Sequence, residues 1–110
     1  MTFDKYQERA LTTVLSTGDP FKDLLHWVLG LNGEAGEVAE KLKKIIRDKN
    51  GEISEEDKAE LAKELGDVLW YIAVFAHDLG VPLEDIASAN LAKLKSRKDR
   101  GKLTGSGDNR

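Results

Sequence analysis

Two long apolar stripes separated by a turn constrain this chain more than any other feature. Leu24, Val28, Leu31, Ala35, Val38, Leu42 and Ile45 follow one another in steps of four and three. Leu61, Leu65, Val68, Ile72, Phe75 and Leu79 do the same. Such alternation keeps apolar side chains on one side of an α-helix. Between the stripes, Asp48-Lys49-Asn50-Gly51 is a stop-and-turn signal. The pattern predicts two long helices folded back as an antiparallel hairpin.

Shorter helices flank the hairpin. Residues 3–16 read as a first helix with Thr2 as its cap, stopping at Gly18. Asp19-Pro20 opens the second helix, with aspartate as cap and proline at the first helical position. Ser54 and Asp57 resemble a capping box at the start of the third. Gly80-Val81-Pro82 ends the third and starts a fourth, which runs to about Lys98 with Leu83, Ile86, Ala87, Leu91 and Leu94 inward. No stretch alternates as a strand does. The expected fold is all-α, four-helix-bundle-like and oligomeric. Residues 1–98 form one domain, and 99–110 a polar, glycine-rich tail that reads as flexible on composition. Gly30, Gly33 and Gly36 interrupt the second helix at roughly 1 kcal/mol each, which close approach of another helix or a ligand would offset.

Several function classes fall away. A net charge of -3 argues against non-specific nucleic-acid binding. With no cysteine there are no disulfides, thiolate metal sites or cysteine nucleophiles, which fits a cytoplasmic chain. No apolar run is long enough for a membrane span. No di-iron Glu-x-x-His motif, P-loop, dinucleotide fingerprint or nucleophile elbow is present.

The chemistry-bearing candidates are two pairs of carboxylates, Glu34 with Glu37 and Glu64 with Asp67. Each pair has i, i+3 spacing and so shares a helix face. If the hairpin turns near residues 50–52, residue i faces roughly residue 100 to 104 minus i, which brings both pairs to one height. Each carboxylate precedes or flanks an apolar stripe position, so both pairs border the seam. They are either solvated surface groups or a cluster that needs a cation, and all-oxygen ligands suit Mg²⁺, or Mn²⁺ in its place. Lys41 and Lys44 either reach phosphates or pair with glutamates. Asn90, placed inward between Ala87 and Leu94, makes either a core hydrogen bond or a ligand contact. Lys93 and Arg97 are either a solvated basic helix end or phosphate-binding groups. Trp27, Trp70 and Tyr71 are more often core than base-stacking, and His26 and His77 read as structural.

These residues together resemble a known family. Glu34-x-x-Glu37, 26 intervening residues and Glu64-x-x-Asp67 resemble the motif of the MazG-type nucleoside triphosphate pyrophosphohydrolases, of the all-α NTP pyrophosphatase superfamily. The flanking words Gly30-Leu-Asn-Gly-Glu-Ala-Gly-Glu-Val-Ala-Glu40 and Lys63-Glu-Leu-Gly-Asp-Val-Leu-Trp-Tyr71 are similar too. So is Asn90-x-x-Lys93-Leu94-x-x-Arg97, and the closing Gly-Ser-Gly-Asp-Asn-Arg looks like the end of some small relatives. One departure is Gly33, where the pattern has a first glutamate. The resemblance implies Mg²⁺-dependent cleavage of a nucleoside triphosphate to monophosphate and pyrophosphate, by a homodimer or homotetramer. It implies Glu34, Glu37, Glu64 and Asp67 as metal ligands, with Glu34 or Glu37 as general base. Asn90, Lys93, Arg97, Lys41 and Trp70 would bind substrate. The competing readings are a non-catalytic helical homo-oligomeric interaction module and a hydrolase of another pyrophosphate, such as phosphoribosyl-ATP.

Overall fold

The computed structural model describes all 110 residues, and they form four α-helices with no strand. The helices are α1 (Phe3–Ala10), α2 (Pro20–Lys49), α3 (Glu55–Asp78) and α4 (Leu83–Asp99), with a short 3₁₀ turn at Leu11–Thr13. Local signals in the sequence set most of these bounds. The Thr2 hydroxyl accepts from the Lys5 N–H at 3.0 Å. Asp19 accepts from the N–H groups of Phe21 and Lys22, with Pro20 in the first turn. Ser54 and Asp57 form a reciprocal capping box. Lys49 grips the same Asp57 at 2.9 Å and ties the two sides of the hairpin turn together.

α1 is shorter than its apolar pattern suggested. It ends at Ala10 because Thr12 and Thr13 turn their hydroxyls back onto the carbonyls of Arg9 and Ala10, and Val14 is extended. The following loop is then held by Asp23, which accepts from the Ser16 hydroxyl and from the Thr17 N–H and hydroxyl at 2.5–2.8 Å. Those bonds, led by that from Ser16, hold the Asp23 carboxyl below its ordinary range.

The hairpin pairs in the expected register. Tyr71 lies against Gly30, Asp67 beside Glu34, and Glu60 beside Lys41. At Gly30 the approach is so close that an added Cβ would fall 2.2 Å from the Tyr71 ring. Gly33 and Gly36, which sequence reasoning grouped with it, have nothing within 4 Å of where a Cβ would stand.

Burial is concentrated at one end. Ten residues are buried, and all but Ile45 and Arg97 lie where α1 and the start of α4 cover the beginning of α2 and the end of α3. Trp27, 1% exposed, donates its indole N–H to Asp78 and meets Trp70 edge-on at 5.8 Å. Gln7 ties three elements together: its amide N–H groups reach the carbonyls of Ala73 and Val81, and its oxygen accepts from the Leu83 N–H. Both amide hydrogens and the oxygen of this buried side chain are therefore partnered.

Elsewhere the single chain leaves its stripes half covered. Leu24, Leu31, Val38 and Ile45 are turned in, while Val28 and Leu42, the alternate column, stay open. Phe21, Leu25, Leu29 and Ile46 extend this open face of α2, and Leu65 extends it on α3. In α4, Ile86, Leu91 and Leu94 are also exposed, and so is Asn90, which the sequence placed inward. Ile86 and Leu94 are only partly covered within the chain, and Leu91 is the most open of the three at 68%. The radius of gyration is 17.0 Å, against about 13 Å for a compact chain of this length.

Candidate metal centre

One turn along from the Gly30–Tyr71 contact, the facing sides of α2 and α3 carry carboxylates. Glu34 from α2 and Glu64 and Asp67 from α3 each offer an oxygen, and these atoms lie within 4.8 Å of one another. Helix periodicity puts Glu64 and Asp67 on one face, and the hairpin register brings Glu34 level with them. Glu34 and Glu64 are half-buried and Asp67 is exposed. Glu37, one turn on from Glu34, is exposed and stands outside this group.

The electrostatics are unbalanced in a specific way. Glu64 is paired with Lys41 at 2.9 Å, and Lys41 also reaches Glu60 at 3.5 Å. No lysine, arginine or histidine pairs with Glu34, Glu37 or Asp67. Desolvation, and then the charges of Asp67 and Glu64, hold the Glu34 carboxyl above its ordinary range. Burial and the nearby Asp67 charge raise Tyr6 as well, so the first helix flanks the same site. Like charges gathered at a half-buried seam favour a proton or a cation between them. The donor set is all oxygen and comes from two helices, which fits a hard divalent cation such as Mg²⁺ or Mn²⁺ and not zinc.

The other sequence candidates are placed differently. Lys41 pairs with glutamates, one of the two roles open to it. Trp70 donates its indole N–H to the Thr13 hydroxyl at 2.8 Å and packs against Trp27 and Tyr71, and His26 stacks on Trp27 at 4.8 Å. Asn90, Lys93 and Arg97 make no hydrogen bond or ion pair with the carboxylates. Lys93 and Arg97 instead converge on Asp108, the first at 2.8 Å and the second at 3.3 Å. Glu60 and Asp108 were missed from sequence. Glu60 had a usable signal, since it lies one turn before Glu64 and level with Lys41. Asp108 had only the closing residues around it.

Comparison with known proteins bears on the same residues. The family model for the MazG nucleotide pyrophosphohydrolase domain matches residues 22–101. Gene 37 protein of Mycobacterium phage L5 is 49% identical over 114 residues, covering 100% of both chains. Uncharacterized protein YvdC of Bacillus subtilis (strain 168) is 42% identical over 69 residues, which is 58% of this chain and 65% of that protein. No solved structure matches. The matched span holds all four carboxylates and the Asn90–Arg97 segment, and the chain belongs to the MazG nucleotide pyrophosphohydrolase family.

Proposed function

We propose that the chain is a divalent-metal-dependent nucleoside triphosphate pyrophosphohydrolase, releasing the nucleoside monophosphate and pyrophosphate. The observation that carries this reading is the convergence of Glu34, Glu64 and Asp67 from facing helices, within a chain of this family. Glu37 is the fourth carboxylate of the site. These carboxylates would hold the Mg²⁺, which would supply Lewis-acid withdrawal of charge from the phosphoryl group.

The chain's own residues do the rest. Glu34 or Glu37 takes the proton of the attacking water. The water oxygen bonds to phosphorus, the bridging P–O bond between the α- and β-phosphates breaks, and pyrophosphate leaves with the electron pair. Lys93, Arg97 and Lys41 supply positive charge to the triphosphate, Asn90 a neutral hydrogen-bonding contact, and Trp70 a wall of the nucleotide site.

The working form is a homodimer or homotetramer. The open face from Phe21 to Ile46 and the uncovered α4 stripe are what a second copy would cover.

The deciding experiment is pyrophosphate release from a panel of ribo- and deoxyribonucleoside triphosphates, with Mg²⁺ and with chelator. Asp67→Asn and Glu37→Gln are expected to lower kcat by at least about 10²-fold with helical circular dichroism unchanged. Release that persists in chelator, or in both variants, would overturn the assignment.

A further inference from the structure

Residues 102–110, expected to be loose, close back on α4 as a defined strap. Arg110 organises it, donating to the carbonyls of Lys102, Leu103, Thr104 and Gly107 at 2.8–3.3 Å. Arg100 holds the Arg110 backbone oxygen at 2.9 Å, and the Lys102 N–H bonds the Arg97 carbonyl. This geometry delivers Asp108 onto the two cations of α4. One Asp108 oxygen lies 2.8 Å from the Lys93 ammonium and 3.3 Å from Nη2 of Arg97, which also donates to the Asp108 carbonyl.

We propose that Asp108 is a built-in competitor, occupying the position on Lys93 and Arg97 that a phosphate group of the nucleotide takes when it binds. The inference rests on the assignment of Lys93 and Arg97 to the triphosphate. Three features favour exchange over permanent attachment. Asp108 has the charge and acceptor type of a phosphate oxygen, yet it serves Arg97 incompletely. The Arg97 side chain is 7% exposed and its Nε is buried without a hydrogen-bond partner. A phosphate, with three acceptor oxygens, matches the guanidinium fork better. Finally, the contacts that tie the strap to α4 include the ion pairs and hydrogen bonds of Lys93, Arg97 and Arg100. Its one apolar residue, Leu103, is 53% exposed, so no fully buried apolar side chain anchors it.

The test uses the full chain with Mg²⁺. Asp108→Asn keeps the shape and the backbone contact but removes the competing charge, and should lower KM for the triphosphate roughly three- to tenfold with a smaller change in kcat. Arg110→Ala, which loosens the strap without touching the cations, should move KM the same way. In the wild type, hydrogen exchange of residues 102–110 should rise on saturation with an α,β-methylene triphosphate. A KM that stays or rises in Asp108→Asn, or a strap that becomes more protected, overturns the exchange. If Lys93→Ala leaves KM unchanged, the phosphate assignment fails with it. If Lys93→Ala raises KM while Asp108→Asn does nothing, only the competitor fails.

Discussion

At the Trp27 end, α2 and α3 are covered by α1 and by the first turn of α4, and nearly every buried residue of the chain is there. Two turns further along, the same two helices carry Glu34, Glu64 and Asp67 beside glycines with empty space around them and an apolar face open to solvent. One end is completed by contacts within the chain. The other has an open apolar face, and of its carboxylates only Glu64 is paired, with Lys41, while Glu34 and Asp67 have no basic partner. Exposed apolar surface is a candidate interaction site, and converging carboxylates without a basic partner are a candidate cation site. The contrast between the two ends is what makes the carboxylate half the candidate functional one.

The sharpest way to break this contrast is to mutate both halves. Trp27→Ala removes a fully buried ring from the completed end and should cost about 3–5 kcal/mol, read from urea unfolding. Leu29→Glu, on the open face at 68% exposure, should leave the fold of the single chain intact and abolish self-association in sedimentation. The wild-type unfolding midpoint should rise with protein concentration, and the Leu29→Glu midpoint should not. A wild-type midpoint independent of concentration would mean that the open face seals nothing.

The glycines sharpen the contrast within one helix. Gly30→Ala drives a methyl into the Tyr71 ring and should destabilise by about 1–3 kcal/mol. Gly36→Ala has free space in the chain, so an isolated chain should gain up to about 1 kcal/mol of helix propensity. Loss instead of gain, appearing only at concentrations where the protein associates, would place a partner backbone against Gly36.

Which of these differences could be read in advance follows from their physical origin. Helix caps at Thr2, Asp19 and Ser54 were legible because each satisfies backbone N–H groups two or three residues away. Helix register was legible because 1.5 Å per residue is fixed, and it brought Glu34 level with Asp67. The division of each stripe into a covered and an open column was not. Val28 and Leu31 are chemically interchangeable, and only the third dimension decides which one faces α3. The inward placement of Asn90 failed for the same reason, since Asn90 lies on a face of α4 that the chain leaves exposed. The strap was hidden because Arg110 binds carbonyls that converge only once the loop has formed.

The smallest effect tests the electrostatic half of the comparison. A carboxyl held above its ordinary range contributes stability below the unfolded value of about 4.3 and loses it as pH rises through the raised folded value. In chelator, then, ionised Glu34 is a liability near neutrality. Glu34→Gln, which mimics the protonated form, should unfold at slightly higher urea than wild type at pH 7. That gap should close as the pH falls toward 4. Other carboxyls do not confuse the comparison, because Asp23, Asp57 and Asp108, held low by their hydrogen bonds and ion pairs, are the same in both proteins. With saturating Mg²⁺ the order should reverse, since a bound cation stabilises only the chain that keeps the charge. If the two proteins unfold alike in chelator at pH 7, the carboxylates are too well solvated to strain the hairpin, and the half-buried seam around Glu34 holds no charge that needs a counter-ion.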